Sequence, residues 1–498
     1  MFKTLSVMPV SFWVVILLLV AGFYWSAGNV RRAIGIPTCA VLVTVAVWYV
    51  GDALYNDYLN WHMLIFDSWV LAQAWWQVAL FLGSFLLLTP YLHQKINHRY
   101  LRRPSQLIGF YRRGIEQAGF QRSLTIIFWF TFGIWIPLLG FAAWNFGDQF
   151  FDYLCPYFGK HPGPWVTSGK AGGAMDTLLA LAGYFQIMVG AMFGVVAALS
   201  TNKNIRLLAL AGVLFTWPYF IFDRTRKSIL AIVVPGVLAW VFLRFRASRW
   251  IKATGLITAL LLVNAWFGFV IGNRTEFSIT QAFKESGFDF KKSSATKHEG
   301  LNMFEELCWV FQLTDAEIYK PNWGGNYVAN LANPIPRSIW PNKPTIGLDY
   351  AIARGGGGGD SDTGVFVTLS TGLIGQGVAN FGVYLGAPFA ALLMALWACW
   401  LARLDLLGER IGFIPLYGLG LILTFALGRD ITFLDLYPFV FGFGICWWLN
   451  RNFGKRPMGG RESKGKNRRS SPKRRERLPI PDPIESPPSL LSQNDGRA

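Results

Sequence analysis

Apolar runs of about twenty residues recur along this chain, and they restrict its fold more than any other feature of the sequence. A helical run of this length matches the hydrocarbon core of a bilayer, where each backbone must satisfy its hydrogen bonds internally. Only 15% of the 498 residues are charged, which is too few to cover the surface of a soluble protein of this size. The sequence therefore predicts an all-α polytopic membrane protein.

Eleven segments fit as membrane spans, within a range of ten to twelve. They lie at 9–27, 36–54, 69–91, 125–144, 177–200, 207–222, 229–245, 254–272, 382–402, 411–427 and 434–450. They predict a membrane domain over residues 1–450, with two long outer connections at 145–176 and 273–364. Two stretches of the longer connection, SITQAFKESGF and GLNMFEELCWVFQL, have the spacing of amphipathic helices, and we expect them to lie on the membrane face.

The positive charge of the chain is concentrated in three stretches. Residues 93–122, 244–252 and 451–498 carry net charges of +6, +4 and +8, which account for the formal +18 of the whole chain. Connections rich in Lys and Arg face the cytoplasm in most membrane proteins. The stretches therefore predict topology and contact with anionic lipids, with no nucleic acid as partner. Because the last stretch is also rich in proline, we expect it to be a disordered cytoplasmic tail.

The cysteines predict neither a metal centre nor a disulfide framework. The five residues follow no CxxC or other metal-ligand spacing. They are Cys39, Cys155, Cys308, Cys399 and Cys446.

Several cations lie on the outer side of the predicted topology, where Lys and Arg are disfavoured. The turn between the sixth and seventh spans contains Arg224, Arg226 and Lys227. Arg429 follows the tenth span, and Arg337 lies in the proline-rich outer segment PIPRSIWPNKP. A guanidinium presents a fork of donors that matches phosphate, so these positions predict an anion site at the membrane surface. The alternatives are a cytoplasmic turn at the first position, an ion pair that closes a helix at the second and a structural arginine at the third.

At some of these residues the chain resembles a known family. The shared positions are Pro336-Arg337, Trp340-Pro341, Lys343-Pro344, Arg226 at the start of RKSILAIVV, and Asn380-Phe381-Gly382 followed by Gly386. Over residues 180–450 the sequence is similar to the bacterial O-antigen polymerases, the Wzy-type polymerases of lipid-linked oligosaccharide repeat units. Members commonly have a glutamate four residues before Asn-Phe-Gly, whereas this chain has Gln376.

The resemblance implies a GT-C-like helical fold in the bacterial inner membrane, with the active site on the periplasmic side. The implied reaction transfers a glycan from undecaprenyl pyrophosphate to another lipid-linked repeat, without a cofactor or a metal, and so polymerises a surface polysaccharide. The implied partners are the lipid-linked oligosaccharide, membrane lipids and other polysaccharide-assembly proteins.

The resemblance also implies roles for individual residues. Arg226 and Arg337 are the implied catalytic contacts to pyrophosphate or glycan. The implied substrate-binding residues are Arg224, Lys227, Trp340, Lys343, Arg429 and Asn380. We expect Arg337 to approach Arg226 as part of a lid, with the glycine run 355–359 as its hinge.

Two questions stay open at the level of the sequence. The acceptor hydroxyl needs a general base, and the outer segment offers several candidates. They are His298, Glu299, Glu305, Glu306, Asp349, Asp360 and Asp362. The alternative functions are glycan transfer of the O-antigen ligase type and a polysaccharide flippase or transporter. A transporter predicts inverted repeats and polar residues at mid-membrane, and the sequence shows neither.

Overall fold

The computed structural model describes residues 5–146, 173–222, 226–245, 302–332, 339–355 and 369–454, with isolated positions at 248, 250, 251, 254, 255, 257, 258 and 335. Within these ranges, side chains lie outside the description at 113, 139, 141–146, 173–180, 215–222, 226–229 and 434. The described residues belong to one compact unit, Met1–Gly454. The predicted tail from residue 455 onward and the stretch SITQAFKESGF lie outside the described residues.

Every regular element in the described part of the chain is a helix. The helices are α1 Val10–Asn29, α2 Gly35–Tyr55, α3 His62–Ile65, α4 Ser68–Ile96, α5 Gln106–Arg113, α6 Ala118–Phe146, α7 Gly173–Leu199, α8 Lys203–Phe222, α9 Arg226–Ala239, α10 Met303–Asp315, α11 Gly325–Ala332, α12 Leu348–Ala353, α13 Leu373–Leu406, α14 Phe413–Leu427 and α15 Phe433–Phe453. Short 3₁₀ turns follow α1 and α4, at Val30–Arg32 and His98–Tyr100. A π-helical turn lies within α2 at Ala46–Gly51, and another continues α9 at Trp240–Arg244.

The lengths and compositions of these helices suit a bilayer. Five are long and apolar enough to cross one: Val10–Arg32, Gly35–Tyr55, Ser68–Ile96, Leu181–Leu199 and Leu373–Leu406. The structure therefore supports the prediction of a helical membrane protein. Ten of the eleven predicted segments coincide with described helices, and the eighth, 254–272, lies mostly outside the described residues.

Two hydrophobic cores hold the helices together, and α13 contributes to both. The first core joins α1, α2, α4 and α10 with residues of α13 that include Ala390 and Ala398. The second joins α6, α7, α9, α14 and α15, and it receives Leu401 and Leu404 from α13. The helix α13 therefore links the N-terminal helices to the C-terminal ones.

The helix α13 is broken at Gly382. This residue has a φ of 74° and a ψ of −177°, a backbone conformation that favours glycine. The break folds the arm 373–381 against the arm 383–406, so that Gly377 and Gly386 meet backbone to backbone. The predicted ninth span corresponds to the second arm alone, and the first arm is an additional element that leads back into the bundle.

The polar contacts between helix ends define two opposite ends of the bundle. Arg244, after α9, donates to two carbonyl oxygens at the end of α7, at 3.1 and 3.0 Å. Gln121, at the start of α6, donates to Leu199 O at 3.1 Å, which brings the basic stretch 93–122 to this same end. Arg226 is the first residue of α9 and therefore lies at the opposite end of the bundle from Arg244.

The close approach of the two α13 arms provides a test of the fold. In Gly386→Ala, the new Cβ would lie 2.5 Å from the Gly377 carbonyl carbon. Forcing an extra group into such a contact costs about 1–3 kcal/mol, so we expect a lower thermal unfolding midpoint for the detergent-solubilised protein. The matched control is Gly83→Ala on α4, where a Cβ meets no atom within 4 Å. Equal midpoints for the two variants would contradict the folded-back arm.

Candidate functional site

The turn between α14 and α15 is recessed within the helix bundle. Trp48 on α2 donates from Nε1 to Phe425 O at 2.8 Å, and Gly428 packs against Trp48 and Thr44. Both of these α2 residues lie well before the end of that helix at Tyr55. The 15 residues of α14 span about 22 Å, which is less than the roughly 30 Å of a hydrocarbon core. The chain that follows α14 therefore lies below the end of α2.

Four side chains form a polar cluster at this turn: Ser370, Thr371, Arg429 and Asp430. We call it the turn cluster. Arg429 donates from Nε to Ser370 Oγ at 3.0 Å. Asp430 accepts hydrogen bonds from the Ser370 hydroxyl and from the backbone N–H and the hydroxyl of Thr371. The Ser370 hydroxyl accepts from the guanidinium and donates to the carboxylate, so it links the two charges.

The first arm of α13 fixes the backbone of the turn. The Leu373 N–H donates to Gly428 O at 3.1 Å. The Gln376 side chain accepts from the Ile431 N–H at 2.8 Å and donates to Ile431 O at 3.2 Å. Both ends of the Gln376 amide hold the turn in place. The turn cluster is therefore built on a fixed backbone.

The carboxyl group of Asp430 is poised to exchange a proton. Burial raises its pKa to about 6, although the hydrogen bonds from Ser370 and Thr371 and the charge of Arg429 lower it. Arg429 is exposed and Asp430 is partly exposed, so solutes can reach both. A fixed guanidinium beside a carboxylate of raised pKa can bind an anion and take up a proton.

A second polar cluster joins α10 to α12. It comprises Glu305, Glu306, Tyr350 and Arg354, and we call it the Arg354 cluster. Arg354 lies 3.9 Å from Glu305 and 3.7 Å from Glu306, and its guanidinium lies 3.8 Å from the centre of the Trp309 ring. Tyr350 donates to Glu306 at 2.6 Å. Burial raises the pKa of Glu306, although the Tyr350 hydrogen bond and the Arg354 charge lower it.

The stretch of α10 forms a helix, as predicted, and this helix packs into the first core. Both glutamates are buried, at 8% and 5% exposure. Asp52 of α2 accepts from the N–H groups of Phe304 and Glu305 at 2.7 and 3.2 Å, and so caps α10. This contact joins residues 252 positions apart, which helical spacing alone does not reveal.

Asn380, a predicted substrate-binding residue, is fully buried. Its amide donates to Gln376 O at 2.7 Å and accepts from the Asn326 N–H at 3.2 Å. In this conformation the side chain therefore holds α11 against the first arm of α13.

Trp340 and Lys343 lie in the described loop that precedes α12. Lys343 Nζ donates to Ile335 O at 2.8 Å, and Trp340 is exposed, at 38%. The loop then reaches Gly347, where an added Cβ would lie 3.3 Å from Leu369 O. Because Leu369 directly precedes Ser370, this loop approaches the turn cluster.

The remaining predicted cations lie outside the described side chains. Arg226 and Lys227 open α9, but only their backbone is described. Arg224 and Arg337 lie outside the described residues, as does the glycine run 356–359. The approach of Arg337 to Arg226 and the hinge therefore stay predictions.

The candidate bases separate into three groups. Glu305 and Glu306 are paired with Arg354, and Asp349 is exposed. Four lie outside the described residues: His298, Glu299, Asp360 and Asp362. Among the described residues, no three His, Cys, Asp or Glu side chains are grouped to hold a metal ion.

Sequence reasoning missed two residues of the Arg354 cluster, although a signal was present. Tyr350 and Arg354 are separated by four positions in DYAIAR, a spacing that places two side chains on one face of a helix.

Comparisons with known proteins found no family model, curated protein or solved structure that matches the chain. The two clusters are therefore interpreted from their own residues.

The Arg354 cluster predicts a pH-dependent loss of stability when its cation is removed. Arg354→Ala leaves two buried carboxylates unpaired, and we expect the free energy of unfolding to fall by about 1–3 kcal/mol, because Arg354 is partly exposed. Where a carboxyl group has a pKa that is higher in the folded state than in the unfolded state, the free energy of unfolding falls as the pH rises towards the folded-state pKa. Since Arg354 lowers the pKa of Glu306, its removal strengthens this effect.

The thermal unfolding midpoint of Arg354→Ala should therefore lie further below that of the wild-type protein at about pH 8 than at about pH 6. Lys320→Ala is the control, because it removes an exposed cation from the same outer segment. A deficit that does not change with pH would contradict the role given to Arg354.

Proposed function

We propose that this protein is a membrane glycosyltransferase that polymerises lipid-linked oligosaccharide repeat units. The donor is a glycan on undecaprenyl pyrophosphate, and the acceptor is a second lipid-linked repeat. The product is a longer lipid-linked glycan for a surface polysaccharide. In this proposal the reaction takes place on the periplasmic side of the bacterial inner membrane.

The recessed turn cluster is the observation that supports this proposal most strongly. Arg429 is exposed although its turn lies below the end of α2. Charged residues at such depth are costly, and they mark sites for polar substrates. A pyrophosphate attached to a polyprenyl chain stays near the depth of the lipid headgroups. A cation recessed in the bundle can therefore reach it.

The chemistry of the leaving group favours a fixed guanidinium. Negative charge develops on the pyrophosphate as its bond to the sugar breaks, and preorganised donors stabilise that charge. Ser370 holds Arg429 at 3.0 Å and the first arm of α13 holds the turn, so the donors need little reorganisation. Arg429 therefore combines charge with fixed geometry.

Two further features support the same reaction. The sequence pattern around Arg337, Trp340 and Lys343 resembles that of the O-antigen polymerases. The described part of this loop runs to Gly347, beside Leu369 and the turn cluster. The proposal therefore includes Arg226 and Arg337 as additional pyrophosphate contacts, in a GT-C-like arrangement of about eleven spans.

The lipid-linked glycans of a strain lacking this protein test the proposal. We expect single repeats to accumulate on the outer leaflet, where a membrane-impermeant oxidant reaches them. Long lipid-linked chains would indicate a ligase instead, and repeats confined to the inner leaflet would indicate a flippase. An unchanged glycan profile would contradict all three functions.

Complementation of the same strain tests the arginines. Arg429→Ala and Arg226→Ala should each abolish polymer while leaving folded protein in the membrane, and the lysine variants should recover little. The reason is geometric, because an ammonium does not reproduce the two-point contact of a guanidinium with phosphate. Arg410→Ala, which removes an exposed arginine at the opposite end of α14, is the control. Full activity of both lysine variants would show that the site needs charge alone.

A further inference from the structure

We propose that Asp430 is the general base that takes the proton from the acceptor hydroxyl. This inference rests on the proposed glycosyl transfer and names a catalytic residue for it. It places the base in the turn cluster, on a residue that is not among the seven candidates of the outer segment.

The position of Asp430 next to the cation site is the first argument. Arg429 and Asp430 are consecutive, and both hydrogen bond to the hydroxyl of Ser370. A base for this reaction must lie about one sugar ring from the group that binds the leaving pyrophosphate, because the reacting atoms have to be in contact. Asp430 lies close to Arg429 because the Ser370 hydroxyl bridges the two side chains.

The glutamates of the outer segment are less suited to this role. Glu305 and Glu306 are buried and share Arg354, and Tyr350 donates to Glu306 at 2.6 Å. Glu305 also accepts from the Trp61 indole N–H at 3.2 Å. An acceptor hydroxyl would have to displace these partners. Asp430 also accepts hydrogen bonds, from Ser370 and Thr371, but it is partly exposed and lies beside an exposed arginine, so an acceptor can approach it more readily than the two buried glutamates.

The charged and titratable groups that face Asp430 come from three elements. They are Arg429 in its own turn, Tyr49 on α2 and Tyr327 on α11. Ser370 and Thr371 contribute neutral donors. Burial raises the pKa of Asp430 to about 6, which is close to the value that suits a base working near neutral pH.

The reaction step balances as follows. The acceptor hydroxyl oxygen forms a bond to the anomeric carbon of the donor glycan, and the bond from that carbon to the pyrophosphate oxygen breaks. The electron pair of the broken bond leaves on the pyrophosphate, where Arg429 stabilises the charge. The hydroxyl proton moves to the Asp430 carboxylate and then to water. No oxidant, reductant or further reactant is needed.

The test uses the purified full-length protein with lipid-linked single repeats extracted from the deletion strain. The wild-type rate should fall as the pH is lowered below about 6, because Asp430 becomes protonated. We call this fall the acid limb of the rate profile. Asp430→Asn should lower the rate by about 100-fold or more, because general-base catalysis contributes that much. Lipid-linked repeats should still raise its thermal unfolding midpoint, since Arg429 remains. The control is Asp57→Asn, which changes an aspartate in the connection after α2.

The outcomes separate this inference from the function on which it rests. If the Asp430→Asn variant folds, binds repeats and transfers glycan at the wild-type rate, Asp430 is not the general base. That result leaves the proposed function intact. Wild-type protein that binds repeats but never joins them overturns the proposed function, and the base with it.

A second variant decides the matter if Asp430→Asn does not fold. Ser370→Ala removes a hydroxyl that lowers the pKa of Asp430, so the acid limb of the rate profile should move to higher pH. If Asp430 only supported the fold, the pH of the acid limb would not change in the Ser370→Ala variant. An unmoved limb in active Ser370→Ala therefore overturns the proposal.

Discussion

Inside a bilayer a broken helix is tolerated only where other groups satisfy the backbone that the break exposes, and the break at Gly382 meets this condition. Gln77 of α4 donates to Val383 O at 2.9 Å, and the Asn322 N–H donates to Ala379 O at 3.3 Å. Because these contacts stabilise the fold-back, the first arm of α13 can descend into the bundle. Its start then meets the α14–α15 turn, and the turn cluster exists only because the two meet there.

Both polar clusters place a carboxylate beside an arginine, but they differ in what they can do. In the Arg354 cluster two buried carboxylates share one guanidinium, and the carboxylates also accept hydrogen bonds from the Trp61 indole and the Tyr350 phenol. Such an arrangement fixes α12 against α10 and has little freedom to bind a solute. In the turn cluster a single carboxylate is linked to the exposed Arg429 through the Ser370 hydroxyl. We therefore assign binding and catalysis to the turn cluster and support to the Arg354 cluster.

The sequence predicted the helices well because apolar length and loop charge are local properties. The arm 373–381 was missed, since nine residues are too few for a span and a fold-back depends on the partners of α13. The role of Gln376 was missed for a similar reason, because its bonds to Ile431 join positions 55 residues apart. The sequence indicated Arg429 as a cation next to a span, but the depth of this residue follows from the contacts of α14 with α2.

The accessibility of Arg429 tests the account most directly, because every functional statement requires this recessed turn to face the periplasm. Single-cysteine variants Arg429→Cys and Arg112→Cys, made in a background without the five native cysteines, can be treated with a small membrane-impermeant thiol reagent in intact spheroplasts. We predict labelling at 429 in intact cells, and at 112 only after permeabilisation. Labelling at 112 but not at 429 in intact spheroplasts would contradict the account.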